Sequence, residues 1–334
     1  MKVSFLVCAY NEEKTMEETL KSILDQTVKP DEIVVVNDGS TDGTAGILKG
    51  FEKQCTVVDL RENTGSKAKA QMKGAEYVTG DILAFTDADT TIDSRFLEHG
   101  LPYFLDPSVG AVSGQVLSRK GNWLTAVRQI QYLISQNLYK RGMDALDSIL
   151  VVPGPAGITR RRLFNPSSDT VAEDMDMTLE TSEMGYKIVY APDIKVYTDD
   201  PADLRSYIRQ TTRWYTGYFQ NLRKHFSSTP VRIKVQSAIP IFENLLTLLG
   251  VVMLVATVVF SLNLVFLSVF LLELLVVEAF VIYGVLKLGR KDLVAQAPTY
   301  FLIKIVDLVV WLKCLVKELI LRRGESKWLR ADRT

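Results

Sequence analysis

From Leu245 to Leu272 the chain carries no charged side chain. A run this apolar restricts the fold more than any other part of the sequence, because it must lie in lipid or inside a core. It exceeds one bilayer span and is broken at Ser261-Leu262-Asn263. It therefore reads as two transmembrane helices, about 239–261 and 264–286, each near the length that crosses a bilayer; a buried helix pair in a soluble protein is the alternative. Glu273 and Glu278 fall inside the second segment, where a charge is costly and faces a partner helix or a polar cavity. The connector after it holds Lys287, Arg290 and Lys291, which places it on the cytoplasmic side by the positive-inside rule. A hairpin then leaves the N-terminal domain on that same side. A third apolar segment, 298–321, carries Lys304, Asp307, Lys313 and Lys317, and a basic tail from Arg322 to Arg330 follows it. Crossing there would put the tail outside against the charge rule, so this segment reads as interfacial or re-entrant. The expected division is a cytoplasmic domain over 1–228 and a membrane region over 229–334, in a multi-pass protein of the cell membrane.

The first 115 residues have a different pattern. Short β-branched runs at Val3–Ala9, Glu32–Asn37, Thr56–Leu60 and Ile82–Thr86 alternate with helical patterns at Met16–Gln26, Ala45–Phe51 and Lys67–Val78. Alternation at this pitch means an α/β domain with a parallel sheet, and such sheets bind ligands at the carboxyl ends of their strands. Tyr10-Asn11-Glu12, Asn37-Asp38-Gly39-Ser40 and Asp87-Ala88-Asp89 all fall there. Further on, residues 122–141 form an amphipathic helix with Trp123, Val127, Ile130, Ile134 and Leu138 on one face, to pack on the sheet or lie at a membrane surface. Pro153–Gly157 is a rigid turn, Asp174–Met184 a helix, Lys187–Tyr190 a strand and Leu204–Lys224 a long helix.

Composition removes several functions. Lys+Arg and Asp+Glu balance at 39 each, so bulk charge does not call for nucleic acid. Cys8, Cys55 and Cys314 fit neither a disulfide framework nor a zinc site and favour a reducing compartment. His99 and His225 are the only histidines, and neither sits in a catalytic context such as a Ser-His-Asp triad. The N-terminus runs straight into a short strand, without the long apolar region or cleavage site of a signal peptide.

The remaining chemistry is acidic, followed by one Gln-x-x-Arg-Trp segment. Asp87 and Asp89 emerge from a strand end one residue apart, where they can meet a divalent cation bound to a diphosphate. Asp38 can accept hydrogen bonds from a base or ribose, or serve the turn it sits in. Lys67 lies where a helix N-terminus already favours anions. Glu173, Asp174 and Asp176 begin a helix; any one of them near an acceptor hydroxyl could be a general base, worth roughly 10²–10⁴ in rate. In Gln210-Thr211-Thr212-Arg213-Trp214, Arg213 offers a planar fork for phosphate and Trp214 a flat face for a sugar ring. Together these groups describe a site that grips a nucleotide diphosphate through a metal and passes the attached sugar to a stacked acceptor.

In this order the motifs resemble the membrane-bound branch of the family-2 glycosyltransferases, which includes the cellulose, chitin, hyaluronan and poly-N-acetylglucosamine synthases. The resemblance covers about residues 1–225. It implies a nucleotide-diphosphate-sugar transferase (GT-A, Rossmann-like) domain followed by C-terminal transmembrane and interfacial helices, and an inverting single displacement from a UDP-sugar with Mg2+ or Mn2+. By that resemblance Tyr10, Glu12, Asp38, Lys67 and Asp87 bind the donor, and Asp87 and Asp89 the metal. Asp174 is the catalytic base, Arg213 stabilises the diphosphate, and Gln210 and Trp214 hold the acceptor end. Pro153–Gly157 matches a loop that shapes the acceptor site. The chain departs from the pattern at Asn37, where the family often has an acid, and at Ala172, where it often has Thr. Long-polymer synthases line a channel with more helices than two or three. So either protomers associate, or a lipid or lipid-linked acceptor enters from the bilayer. The expected function is addition of sugar to a growing polysaccharide. Single transfer to a lipid-linked acceptor is the runner-up, and an inactive nucleotide-sugar-binding scaffold is the alternative of another class.

Overall fold

The computed structural model describes residues 1–119, 121–260, 264–287 and 289–321. The expected break at Ser261–Asn263, the side chain of Glu273 and the basic tail from Arg322 lie outside the described residues. The strands are β1 (Val3–Ala9), β2 (Glu32–Asn37), β3 (Thr56–Asp59), β4 (Ile82–Asp87), β5 (Thr90–Ile92), β6 (Val109–Ser118), β7 (Gly157–Arg160) and β8 (Lys187–Thr198). The helices are α1 (Met16–Leu24), α2 (Thr44–Lys49), α3 (Lys67–Ala75), α4 (Phe96–Gly100), α5 (Trp123–Ile134), α6 (Arg141–Ala145), α7 (Glu173–Glu183), α8 (Leu204–His225), α9 (Val231–Phe260), α10 (Leu264–Lys287) and α11 (Ala297–Leu315).

All eight strands form one sheet in the order β3-β2-β1-β4-β7-β6-β8-β5. The β3-β2-β1-β4 half is parallel, as the alternation predicts. The other half is not: β7 runs antiparallel to both β4 and β6, and β5 antiparallel to β8. The expected parallel sheet is therefore a mixed one. The antiparallel strands escape a reading based on strand-helix alternation because their pairings join segments far apart in the chain. Both faces of the parallel half are covered, so its strands are apolar throughout rather than alternating. Phe5, Val7, Ile33 and Val35 pack on the side of α1 and α4, while Leu6, Val34 and Val36 pack toward α3. The register Cys8↔Val36 and Cys8↔Asp87 sets the carboxyl ends of β1, β2 and β4 side by side, with Asp38 and Tyr10 just beyond.

The amphipathic helix at 122–141 packs inside the molecule. Asn122 caps α5, its side chain accepting from the N–H groups of Leu124 and Thr125. Ile130, Leu133 and Ile134 then bury against Val281 and Val285 of α10. Trp123, assigned to that buried face, is exposed at the helix start. The helix continues through a π-helical turn, Ser135–Lys140, into α6. Of the C-terminal helices, α11 lies against α8, with Trp311 fully buried beside Phe219. α9 differs: Val235, Ile239, Phe242, Leu246, Leu249 and Val252 are all exposed. One helix among the described residues, Val231–Thr257 within α9, is long and apolar enough to cross a membrane.

Candidate active site

The parallel half of the sheet supplies one wall. Asp38 follows β2 and is buried. Its Oδ1 accepts from the Thr64 N–H at 2.9 Å and its Oδ2 from the Thr64 hydroxyl at 2.9 Å and from Asn63 Nδ2 at 3.3 Å. Its carboxylate therefore ties down the loop that leads into α3, three residues before Lys67. Asn11 sits at φ 56°, a left-handed conformation that Asn tolerates, and its side-chain oxygen accepts from the Thr41 N–H at 2.7 Å. The Glu12 N–H donates to Thr44 Oγ1 at 2.8 Å. These bonds lock the ends of β1 and β2 together, with Tyr10, half-buried, between them.

Lys67 is the first residue of α3 and reaches across to the end of β4, where its ammonium is paired with Asp87. Glu173 Oε1 lies 3.5 Å from the same ammonium. Burial pulls the Lys67 pKa down, but Asp87 and Glu173 outweigh it and hold the group above its usual range. Burial pushes the Glu173 carboxyl up, with Lys67 opposing and Asp174 adding to the rise. Asp89, expected beside Asp87 as a metal ligand, is buried two residues past the strand.

The opposite wall is the Pro153–Gly157 turn and the start of α7. Gly154 N–H donates to Asp174 Oδ2 at 3.2 Å. A Cβ on Gly154 would lie 2.6 Å from Lys67 Nζ, 3.6 Å from Asp87 Oδ1 and 3.9 Å from Asp174 Oδ2. With no side chain of its own, Gly154 leaves this space to the Lys67 ammonium. One point of the structure thus gathers Lys67, Asp87 and Asp174, which the sequence spreads over more than a hundred positions.

α8 fixes α7 from behind. A Cβ on Gly217 would lie 2.3 Å from Ala172 Cβ, so the two backbones meet directly. Asn221 Nδ2 donates to the Ala172 carbonyl at 3.0 Å, and the Val171 N–H donates to Gln220 Oε1 at 3.1 Å. Asp176 leaves the set of candidate bases. It is fully buried, bonded to His225 Nε2 at 2.6 Å and to Lys224 Nζ at 2.9 Å, and His225 Nδ1 also meets Glu183 at 2.9 Å. Its charge is committed to holding α7 on α8.

The Gln-x-x-Arg-Trp segment divides by helical face. Arg213 lies close enough to Glu173 for its charge to lower that carboxyl's pKa. Gln210 and Trp214, four residues apart, share another face. Gln210 is buried and its Oε1 accepts from Arg128 Nη2 at 2.8 Å. Trp214 is 39% exposed. Arg128, Gly217, Gln220 and Asn221 were not picked out as site residues from the sequence, whereas Gly154 lies in the Pro153–Gly157 turn that was. An Arg at the centre of an otherwise apolar helix face was the one available signal among them.

For a metal, the described residues contain no cluster of three or more His, Cys, Asp or Glu side chains arranged to hold an ion. Asp87 and Asp89 offer hard oxygen donors from one strand end. That set suits Mg2+ or Mn2+ whose shell is completed by substrate phosphates, as such ions often are.

Residues 4–165 match the family model for glycosyl transferase family 2. Over those residues the chain is similar to a family-2 glycosyltransferase domain. Its relatives include the poly-beta-1,6-N-acetyl-D-glucosamine synthase of Staphylococcus aureus (strain COL), 28% identical over 262 residues, covering 75% of this chain and 62% of that protein. The corresponding synthase of Staphylococcus epidermidis is 29% identical over 251 residues, covering 73% and 61%. The matched region is thus under two thirds of either relative's length. Among solved structures, the mannosyltransferase PcManGT from Pyrobaculum calidifontis, in complex with GDP-Man and Mn2+, superimposes with a TM-score of 0.65 at 21% identity, covering 96% of this chain and 88% of that one. TarS 1-349 of S. aureus in complex with UDP-GlcNAc gives 0.52 at 17% identity, covering 97% and 93%. These likenesses show that the glycosyltransferase domain has the GT-A fold; the sequence relatives lie in the polysaccharide-synthase branch.

Proposed function

We propose that the protein is a membrane-anchored, metal-dependent, inverting β-glycosyltransferase that moves a sugar from a UDP-sugar to a growing polysaccharide. The observation that carries this reading is the meeting of Lys67, Asp87 and Asp174 around Gly154. It sets the Lys67–Asp87 pair and the Asp174 carboxylate against one glycine, which supports a diphosphate on one side and a base on the other.

In the proposed reaction the acceptor oxygen forms a bond to the anomeric carbon as the bond from that carbon to the diphosphate breaks. The proton of the acceptor hydroxyl goes to Asp174, and the electron pair leaves with UDP. The Gly154 N–H, bonded to Oδ2, holds the Asp174 carboxylate in place. Lys67 and Arg213 counter the charge that grows on the leaving diphosphate, a contribution that is strong in a half-buried, preorganised site. A Mg2+ or Mn2+ held by Asp87 and Asp89 would supply further neutralisation of that charge, so no general acid is required on the leaving side. Tyr10, Glu12 and the Asp38-anchored loop form the donor's nucleoside side, and Trp214 receives the acceptor sugar.

The exposed apolar face of α9 supports anchoring, since bare aliphatic side chains on this scale need lipid or a partner. On this reading 1–228 is the cytoplasmic domain and 229–334 the membrane region, with α10 as a second span. The same face supports a second acceptor reading, a lipid-linked sugar entering from the bilayer. Product analysis separates the two. Detergent-purified protein is given Mg2+ or Mn2+ and a panel of radiolabelled UDP-sugars, with and without lipid. A high-mass, glycosidase-sensitive product without added lipid supports the polymer reading. A single organic-soluble product that needs lipid supports the second. No transfer and no donor hydrolysis with any sugar would leave a nucleotide-sugar-binding scaffold.

A further inference from the structure

Arg128 is a charged side chain in the middle of α5 and is only 4% exposed. A guanidinium taken out of water this completely must be compensated by specific partners. Its partners are informative. The guanidinium carbon lies 4.3 Å from the centre of the Tyr207 ring and 4.6 Å from the centre of the Trp214 ring. Nη2 donates to Gln210 Oε1 at 2.8 Å and Nη1 to Gln131 Oε1 at 2.8 Å. The Asp200 carboxylate stands 3.9 Å from Nε. Two of the residues in contact, Gln210 and Trp214, are those assigned to the acceptor. They stand on the same face of α8 as Tyr207, at i, i+3 and i+7 from it.

The contacts continue outward. Gln131 accepts from Arg128 through Oε1 and, through Nε2, donates to Asp307 Oδ2 at 3.0 Å and to the Tyr207 hydroxyl at 2.9 Å. The Tyr207 hydroxyl donates to Asp307 Oδ1 at 2.8 Å. Asp307 belongs to α11, so an unbroken set of bonds runs from the C-terminal helices through α5 to the indole of Trp214.

We propose that Arg128 is a positioning residue for the acceptor platform, setting the plane of the Trp214 ring, and that Asp307 ties this platform to α11. This rests on the reading of Trp214 as the surface that receives the acceptor sugar. Cation–π attraction strengthens when desolvated, and the planar fork lets one group stack on two rings while bonding in its own plane. Gln210 in this arrangement anchors Arg128 rather than touching sugar. Arg213, a quarter-turn away, remains with Glu173 and the diphosphate side. The five-residue motif thus has one arm on each substrate.

The test uses the full chain in detergent, with three variants: Arg128→Met, Arg128→Lys and Asp307→Asn. Acrylamide quenching of Trp214 is isolated by subtracting, for each variant, the same protein with Trp214→Phe. UDP affinity and acceptor KM are measured beside it. Arg128→Met is expected to raise Trp214 quenching and to raise acceptor KM by about tenfold or more, with UDP affinity held within about twofold. Arg128→Lys, which keeps the charge but not the fork, should follow Met rather than wild type. Asp307→Asn should move both readouts in the same direction by less. Unchanged quenching and unchanged acceptor KM in Arg128→Met would overturn the proposal. If Arg128→Met fails to fold, Arg128→Lys and Asp307→Asn decide, and wild-type quenching in both overturns it. The quenching readout needs no turnover. A wild-type protein that transfers no sugar would thus sink the functional reading while leaving the positioning role separately judged.

Discussion

On the proposed reading, the wall that would take the donor and the wall that would take the acceptor are built in different ways. The donor wall comes from the ends of adjacent parallel strands, and its residues lie within a few positions of a strand terminus: Tyr10 after β1, Asp38 after β2, Asp87 at the end of β4. Sheet register alone brings them together. The acceptor wall has no such frame. Its residues sit on α5, α7, α8 and the Pro153–Gly157 turn, and they meet where Gly217 lets α8 touch Ala172 and where the side-chain-free Gly154 faces Lys67. A wall made by register tolerates local change. A wall made by helices meeting at two glycines does not.

The largest expected effect tests the chemistry shared by both walls. Asp174→Asn should reduce transfer by roughly 10²–10⁴ while UDP-sugar binding, read by calorimetry, persists. Near-normal turnover would remove Asp174 as the base. On the donor side, Asp89→Asn should weaken metal-dependent UDP-sugar binding itself; an unaltered Mn2+ dependence of binding would take it out of the metal site.

Gly217→Ala should do more harm than its size suggests. The added methyl would fall 2.3 Å from Ala172 Cβ, and separating α8 from α7 shifts Glu173 and Asp174 together. Transfer should drop by about 10²-fold, the cost of misplacing a group by about 1 Å, with UDP affinity little changed. Equal loss of both would make the two walls one mechanical unit.

Smaller effects belong to the ion pairs behind the acceptor wall. His225→Phe should cost on the order of 3 kcal/mol in urea unfolding, because it removes a partner of fully buried Asp176. Burial alone would lower the His225 pKa, but its bonds to Asp176 and Glu183 outweigh burial and raise it above 6.5. Its contribution is therefore complete below pH 6.5 and is lost as pH rises through the raised value. Burial alone would raise the Asp176 pKa, but His225 and Lys224 hold it below 3.8, so its contribution is present above pH 3.8 and disappears as pH falls through the depressed value. Wild-type stability that stayed flat above pH 6.5 would count against this account.

Lys140, at the end of the π-helical turn, should give the mildest result, with the opposite sign. It is buried with Ser113 Oγ at 3.0 Å, and burial pulls its pKa down to about 8. The unfolded chain binds this proton more readily, so stability should rise with pH between about 8 and the ordinary lysine value. Lys140→Met should raise the midpoint of thermal unfolding slightly, as apolar replacements of buried charges often do; a lower midpoint would show that the ammonium is held by more than Ser113.

The legible part of the molecule follows the same division. β1, β2 and β4 end where alternation and apolar runs say, because a two-faced buried strand needs consecutive Val, Ile and Leu and stops at the first polar turn. That logic alone placed Asp38, Asp87 and Asp89 at strand ends. β6 and β7 were missed, since antiparallel pairing across distant segments leaves no regular spacing. Of Glu173, Asp174 and Asp176, the residues by themselves could not say which was free to act. His225 and Lys224, about fifty residues downstream, settle Asp176 by burying its charge in ion pairs.

The sequence by itself determined the α/β domain, the acidic strand ends and the apolar C-terminal helices, because each depends on neighbours within one element. Only the tertiary structure decided the mixed half of the sheet, the closeness of Gly154 to three charged groups and the hold of Arg128 on Trp214. Those depend on backbones approaching across long separations, where a missing Cβ or a single planar cation has no signature until its partners are in place.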